Sequence, residues 1–120
     1  MTREKAAALV DVYMQGLKSG DYSSVKFSPS VSFLGPLHDE PLKGKEAVVA
    51  FLTEVSGGMA DVRMNKCVID GSDVCIVIDF ETKDGTVLPC VDYIKIEADQ
   101  IVHIRPFFDP RPLLAGGIAG

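Results

Sequence analysis

The amino-acid sequence predicts an α+β domain: N-terminal helices packed in a strongly curved, mainly antiparallel sheet. Three observations predict it. Apolar residues near the start recur at helical spacing. Four segments after residue 60 read as strands. The turns between those segments carry Asp70-Gly71, Asp84-Gly85 and Ala98-Asp99, which is hairpin chemistry. Short turns between consecutive strands force an antiparallel meander. Long strands in a small domain must wrap around something, and the preceding helices are the natural filling.

The elements follow in order. Thr2 can cap a first helix, with Glu4 in its first turn. Ala6, Leu9, Val10, Tyr13, Met14 and Leu17 form its apolar face, and Gly20 supplies a left-handed stop. Asp21 is expected to cap a short second helix around Tyr22 to Lys26, broken by Ser28-Pro29-Ser30. A short strand, Val31 to Phe33, ends at Gly35-Pro36. After a polar loop, Leu37 to Glu40, a helix runs from Lys45 to Val55 and stops at Ser56-Gly57-Gly58. The four strands are read as Asp61–Ile69, Asp73–Lys83, Thr86–Glu97 and Gln100–Phe108. Pro89 and Pro106 fall inside strand patterns, so each marks an edge or a bulge. Residues 1–114 are read as one domain and 115–120 as a flexible C-terminal tail.

At 120 residues, with 47% hydrophobic and 24% charged residues, the chain is long enough for one real core. The net charge of -5 without a basic stripe excludes a phosphate-backbone binder, so no nucleic-acid partner is expected. No apolar run approaches the ~20 residues of a membrane helix, so no membrane partner is expected. The start lacks the apolar stretch of a secretory signal, and the expected location is the cytoplasm. Cys67, Cys75 and Cys90 are odd in number and widely spaced, as suits small buried hydrophobes in a reducing compartment. No motif implies a metal or an organic cofactor.

Asp92 is the residue that breaks the pattern. In Pro89-Cys90-Val91-Asp92-Tyr93-Ile94-Lys95-Ile96 it shares the apolar face with Cys90, Ile94 and Ile96, while Lys95 takes the wetter face. A carboxylate there needs a partner, a shifted pKa or a job. Two readings stand: a group satisfied by backbone donors near Pro89, or a pocket-facing acid with a raised pKa. Tyr13, on the apolar face of the first helix, likewise reads as a core tyrosine or as a donor into a pocket. His38, Asp39 and Glu40 form either a solvated loop or a source of a base, His38 having the suitable intrinsic pKa. Asp79 is expected outward or near the rim, and His103 on the outer sheet surface.

Three segments carry a resemblance: Val12-Tyr13-Met14-Gln15-Gly16-Leu17-Lys18-Ser19-Gly20-Asp21, then Pro41-Leu42-Lys43-Gly44-Lys45-Glu46-Ala47-Val48-Val49-Ala50-Phe51-Leu52, then Val91-Asp92-Tyr93-Ile94-Lys95-Ile96 followed by Gln100-Ile101-Val102. In this order they resemble the NTF2-like cone fold, nearest in pattern to SnoaL-like and ketosteroid-isomerase-like proteins, over about residues 6–109. The resemblance implies an enolate-stabilising pair at Tyr13 and Asp92. In the ketosteroid isomerases an apolar site keeps the matching carboxylic acid neutral, and the resemblance implies the same of Asp92. The position of the isomerases' proton-shuttling aspartate falls on Gly35, which cannot replace it.

Alternation and the resemblance together give Phe27, Phe33, Leu52, Cys90, Ile104 and Phe108 as pocket walls. The functional expectation is a small hydrophobic ligand in an apolar cone pocket, turned over by an isomerase-like or cyclase-like enzyme. The alternative is a non-catalytic binding or dimerisation module, favoured by Gly35. A third reading is a cone filled by its own side chains. Val91, Tyr93 and Phe107 lie on the outer sheet face, and the resemblance implies a homodimer through that face.

Overall fold

The computed structural model describes residues 2–116. Helix α1 (Arg3–Ser19) begins where Thr2 Oγ1 accepts a hydrogen bond from the Lys5 amide. It ends at Gly20, whose φ of 79° is the left-handed conformation glycine adopts without a Cβ penalty. Strand β1 (Phe27–Phe33) is followed by the two-residue β2 (Leu42–Lys43), helix α2 (Lys45–Gly57) and four long strands. These are β3 (Met59–Asp70), β4 (Asp73–Thr82), β5 (Val87–Glu97) and β6 (Gln100–Phe108). A six-residue helix α3 (Arg111–Gly116) follows. The expected tail, residues 115–120, lies outside the described residues from 117 onward, and 115 and 116 belong to α3.

The strands form one curved sheet in the order β2-β1-β6-β5-β4-β3. The β1–β6 pairing is parallel and the others are antiparallel. Register shifts at Met59/Asp61, Met64/Lys66, Lys95/Ile96 and Phe27/Ser32 bend the strands. The concave face carries Ile76, Ile78, Ile94, Ile96 and Ile104, each fully buried against Ala6, Val10 and Tyr13 of α1 and Val48 and Leu52 of α2.

Three local expectations are corrected. Residues 21–26 form a turn, not a helix: the Ser23 amide donates to Asp21 Oδ1 and the Val25 amide to the Tyr22 carbonyl. The turn uses up the Asp21 side chain that would have capped a helix, and Phe27 already pairs with Ile101. Ser28-Pro29-Ser30 therefore lies within β1 rather than breaking a helix; the strand tolerates Pro29 where its register with β6 is interrupted. Third, Arg111–Gly116 is a short helix that the element order read from the sequence does not include.

Pro89 and Pro106 stand at local edges. Pro89 pairs with Asp79 of β4, but β6 pairs with β5 only from Cys90 onward. Pro106 pairs with Asp92, while the last contact of the β1 chain with β6 is the Leu34 amide on the Ile104 carbonyl. A missing N–H costs nothing where no neighbour asks for it.

Candidate functional site

The end of β1 shapes the site. The chain leaves β6 at Gly35-Pro36, and the loop that follows, with α2 and α3, surrounds a cavity of about 580 Å3 over the concave sheet. That lies within the range of ~300–1,000 Å3 usual for small-molecule pockets. The wall is mostly apolar: Leu17, Phe33, Phe51, Leu52, Val55, Met59, Phe80, Leu88, Pro106, Phe108 and Leu113. Its ionisable side chains are Tyr13, His38, Glu54 and Asp92. Open space lies beside Asp92, which speaks against a cone filled wholly by its own side chains.

Tyr13 reaches the cavity because it occupies the inward face of α1 with Val10 and Leu17. Asp92 reaches it because β5 alternates Leu88, Cys90, Asp92 and Ile94 inward. The Tyr13 hydroxyl donates to Asp92 Oδ2 at 3.4 Å, and the Cys90 thiol donates to Oδ1 at 3.3 Å. Asp92 is thus satisfied by two side chains, not by backbone donors near Pro89. Burial pushes the Asp92 carboxyl up to about 6, and the donors Cys90 and Tyr13 restrain the rise. The upward direction matches the sequence reading. In this structure both Asp92 oxygens accept, one from Tyr13 and one from Cys90. Burial first, then the nearby Asp92 charge, raises the Tyr13 phenol well above its ordinary value, and it remains a donor. Burial likewise raises the Cys90 thiol, so it stays protonated.

Of the expected walls, Phe33, Leu52 and Phe108 line the cavity. Phe27, Cys90 and Ile104 do not. Phe27 is buried beside Tyr22, with ring centroids 6.4 Å apart. Ile104 is wholly buried under neighbouring side chains, and Cys90 stands behind Asp92 as its hydrogen-bond donor. His38 joins the cavity; Asp39 and Glu40 do not. Asp79 faces outward on Asn65, and His103 lies on the outer face, bonded through Nδ1 to Ser32 Oγ at 2.6 Å.

Leu88 and Pro106 could have been found by extending the alternation around Asp92 and Ile104. Phe51 could not, because α2 presents its flank as well as its apolar stripe to the cavity. Leu113 was hidden with the unrecognised α3. Among the described residues no three His, Cys, Asp or Glu side chains group as metal ligands, and no helix is long and apolar enough to cross a membrane.

A curved six-stranded sheet closed by helices over an apolar cavity defines the NTF2-like cone fold. Solved structures agree. An NTF2-like protein of unknown function from Cytophaga hutchinsonii superposes with a TM-score of 0.78 at 21% identity, covering 91% of this chain and 94% of that one. A Jannaschia protein assigned as a SnoaL-like polyketide cyclase gives 0.78 at 14% identity, over 98% and 94%. A Kribbella flavida protein assigned as a ketosteroid isomerase gives 0.76 at 16% identity, over 88% and 78%. The chain belongs to the family described as Domain of unknown function (DUF4904), which it matches over residues 1–119. No curated protein sequence matches it.

Proposed function

We propose that this protein binds a small, flat, mostly hydrophobic molecule bearing one carbonyl or phenol oxygen, and that Tyr13 and Asp92 exchange a proton with it. The observation that carries this reading is the Tyr13–Asp92 hydrogen bond on the wall of an apolar cavity. In the enzymatic form, Asp92 takes a proton from the carbon beside the ligand carbonyl, and the electron pair moves onto the oxygen. The 3.4 Å contact is long, so the Tyr13 hydroxyl is loosely held. As Asp92 gains the proton it becomes a poorer acceptor while the enolate oxygen becomes a better one, and Tyr13 swings its hydrogen to that oxygen. A carboxyl near pKa 6 is suited to this exchange near neutral pH. The solved relatives assigned as a polyketide cyclase and a ketosteroid isomerase support an activity of this type.

Gly35 favours a second reading, a non-catalytic binding module, because no carboxylate stands where the isomerases keep their base. Incubating 2-acetylnaphthalene with the protein in D2O separates the two. Saturable binding with deuterium entering the methyl group faster than with Asp92→Asn supports turnover. Binding without exchange leaves the binding module, and no binding refutes both.

The working assembly in this proposal is a homodimer joined through the outer sheet face, in the cytoplasm, where the three free thiols would stay reduced. The cavity reads as one domain's own site, spanning residues 1–114.

A further inference from the structure

Gly35 and His38 form a unit. The Gly35 amide donates to His38 Nδ1 at 3.3 Å. The ring folds back over Gly35 so closely that a Cβ there would meet Nδ1 at 3.1 Å and Cε1 at 3.6 Å. Two aromatic rings hold the imidazole edge-on, Phe51 at 4.9 Å and Phe33 at 5.8 Å between centroids. The imidazole occupies the volume that a side chain on Gly35 would need.

The hydrogen bond dictates the tautomer. A nitrogen that accepts carries no proton, so the neutral ring bears its hydrogen on Nε2. An imidazolium would carry a hydrogen on Nδ1 and set it against the Gly35 N–H. Among the described residues Nε2 has no protein partner, and no buried side-chain nitrogen or oxygen lacks one. Nε2 is therefore accessible rather than enclosed, and His38 borders open space on the cavity side. That space is the main cavity and an adjoining notch of about 350 Å3 shared with Asp39 and Arg105.

We propose that His38 is a ligand-binding residue of the cavity: a neutral imidazole, fixed by the Gly35 amide, that offers Nε2–H to an acceptor oxygen on the ligand. This deepens the proposed function and rests on it for the ligand class. It divides the polar work: Asp92 accepts, and Tyr13 and His38 donate. It also gives Gly35 a reason other than loss, since a Cβ there would crowd both the His38 ring and Phe33 Cε1, at 3.1 and 3.3 Å. The ligand favoured is a ketone or quinone-like molecule rather than a plain hydrocarbon.

Two measurements test it. Long-range 15N–1H correlation on the unliganded protein at neutral pH reads which ring nitrogen is protonated. The hydrogen is expected on Nε2; an Nδ1–H tautomer or an imidazolium overturns the proposal whatever the protein binds. Binding of 2-acetylnaphthalene is then compared with that of 2-ethylnaphthalene. His38→Phe is expected to cut the preference for the ketone by roughly three- to tenfold, the worth of one neutral hydrogen bond. His38→Gln, whose amide nitrogen can reach the Nε2 position, is expected to keep it. An unchanged preference in a folded His38→Phe protein overturns the contact. Should neither probe bind the unaltered protein while the tautomer is as expected, the ligand reading fails and the His38 contact with it. Binding of both probes with equal affinity fails the His38 donor and the Tyr13 donor of the proposed function together, whereas a preference that His38→Phe leaves unchanged fails His38 alone.

Discussion

The Tyr13 hydroxyl and the Asp92 carboxylate, 79 positions apart in sequence, meet at 3.4 Å because α1 lies across the concave face of the sheet with its apolar side down. Each residue is an exception on an otherwise apolar stripe. Together they give a buried carboxylate one phenolic donor, and Cys90, two residues along the same strand, supplies the other. The pair survives in an apolar wall because each Asp92 oxygen has a donor.

This arrangement has a pH signature. Asp92 titrates at 3.8 when unperturbed and at about 6 in the fold. The folded pKa lies above the unfolded one, so the native state binds the proton more tightly. The stabilisation it contributes is full below about pH 4 and is lost as pH rises through 6. The shift of roughly two pKa units corresponds to about 3 kcal/mol. Asp92→Asn removes the titration. Its stability relative to the unaltered protein should therefore climb by about 2 kcal/mol from pH 4 to pH 7. Urea denaturation of both proteins across that range checks this, and parallel curves would contradict it.

Tyr13→Phe removes the donor on Oδ2 but keeps the ring in place. The charged carboxylate loses a stabilising partner, so its pKa should rise above the value in the unaltered protein. The variant should also lose about 1 kcal/mol of stability at neutral pH, where the carboxylate accepts the bond. Side-chain carboxyl 13C titration follows the first effect directly. A pKa that stays put or falls would mean that the long Tyr13 contact carries no electrostatic weight.

The fold was legible because its signals are periodic: the α1 stripe, the strand alternation and the Asp-Gly turns each repeat a rule that burial enforces. Asp92 and Tyr13 were legible as violations of those rules. What stayed hidden depends on surroundings that periodicity does not encode. The turn at Asp21–Val25 has helix-cap chemistry, yet Phe27 is drawn into the sheet by Ile101. Gly35 was visible only as an absence; that His38 fills the space follows from a loop whose backbone reverses onto itself. Cys90 faces inward as expected, but its neighbour on the same face claims it as a donor before it can reach the cavity.

Gly16 illustrates a packing constraint of the same kind. A mid-helix glycine ordinarily gains ~0.5–1 kcal/mol on change to alanine. Here the new Cβ would lie 2.7 Å from Tyr22 Cδ1 and 2.9 Å from Cε1. The ring cannot easily yield, because its hydroxyl is tied to Ser56 Oγ at 2.6 Å and to the Leu52 carbonyl at 3.3 Å. Overpacking of about 1–3 kcal/mol then outweighs the helix gain. Gly16→Ala should lower Tm, while Gly57→Ala, where a Cβ meets nothing within 4 Å, should not. A thermal scan that ranks the two variants the other way would refute the constraint.

The outer sheet face carries the last prediction. Val91 on β5 pairs with Val77 on β4 and with Phe107 on β6, so the three lie side by side across three strands. All are exposed, Phe107 by 52%. The Arg105 guanidinium stacks on the Phe107 ring, 5.1 Å from its centroid, and forms a cationic rim to the apolar strip. A contiguous strip of this kind is worth covering, and a second copy would cover it strip to strip about a two-fold axis. In such a dimer Val91→Lys would place a charge within the contact, at a position exposed in the monomer. The substitution should weaken dimerisation by at least tenfold while leaving the cavity intact, an effect of the size seen at interface centres, ~1–2 kcal/mol. Sedimentation velocity on both proteins reads the outcome. An unaltered protein that sediments as a 12.9 kDa monomer at high micromolar concentration would remove the dimer from the proposal.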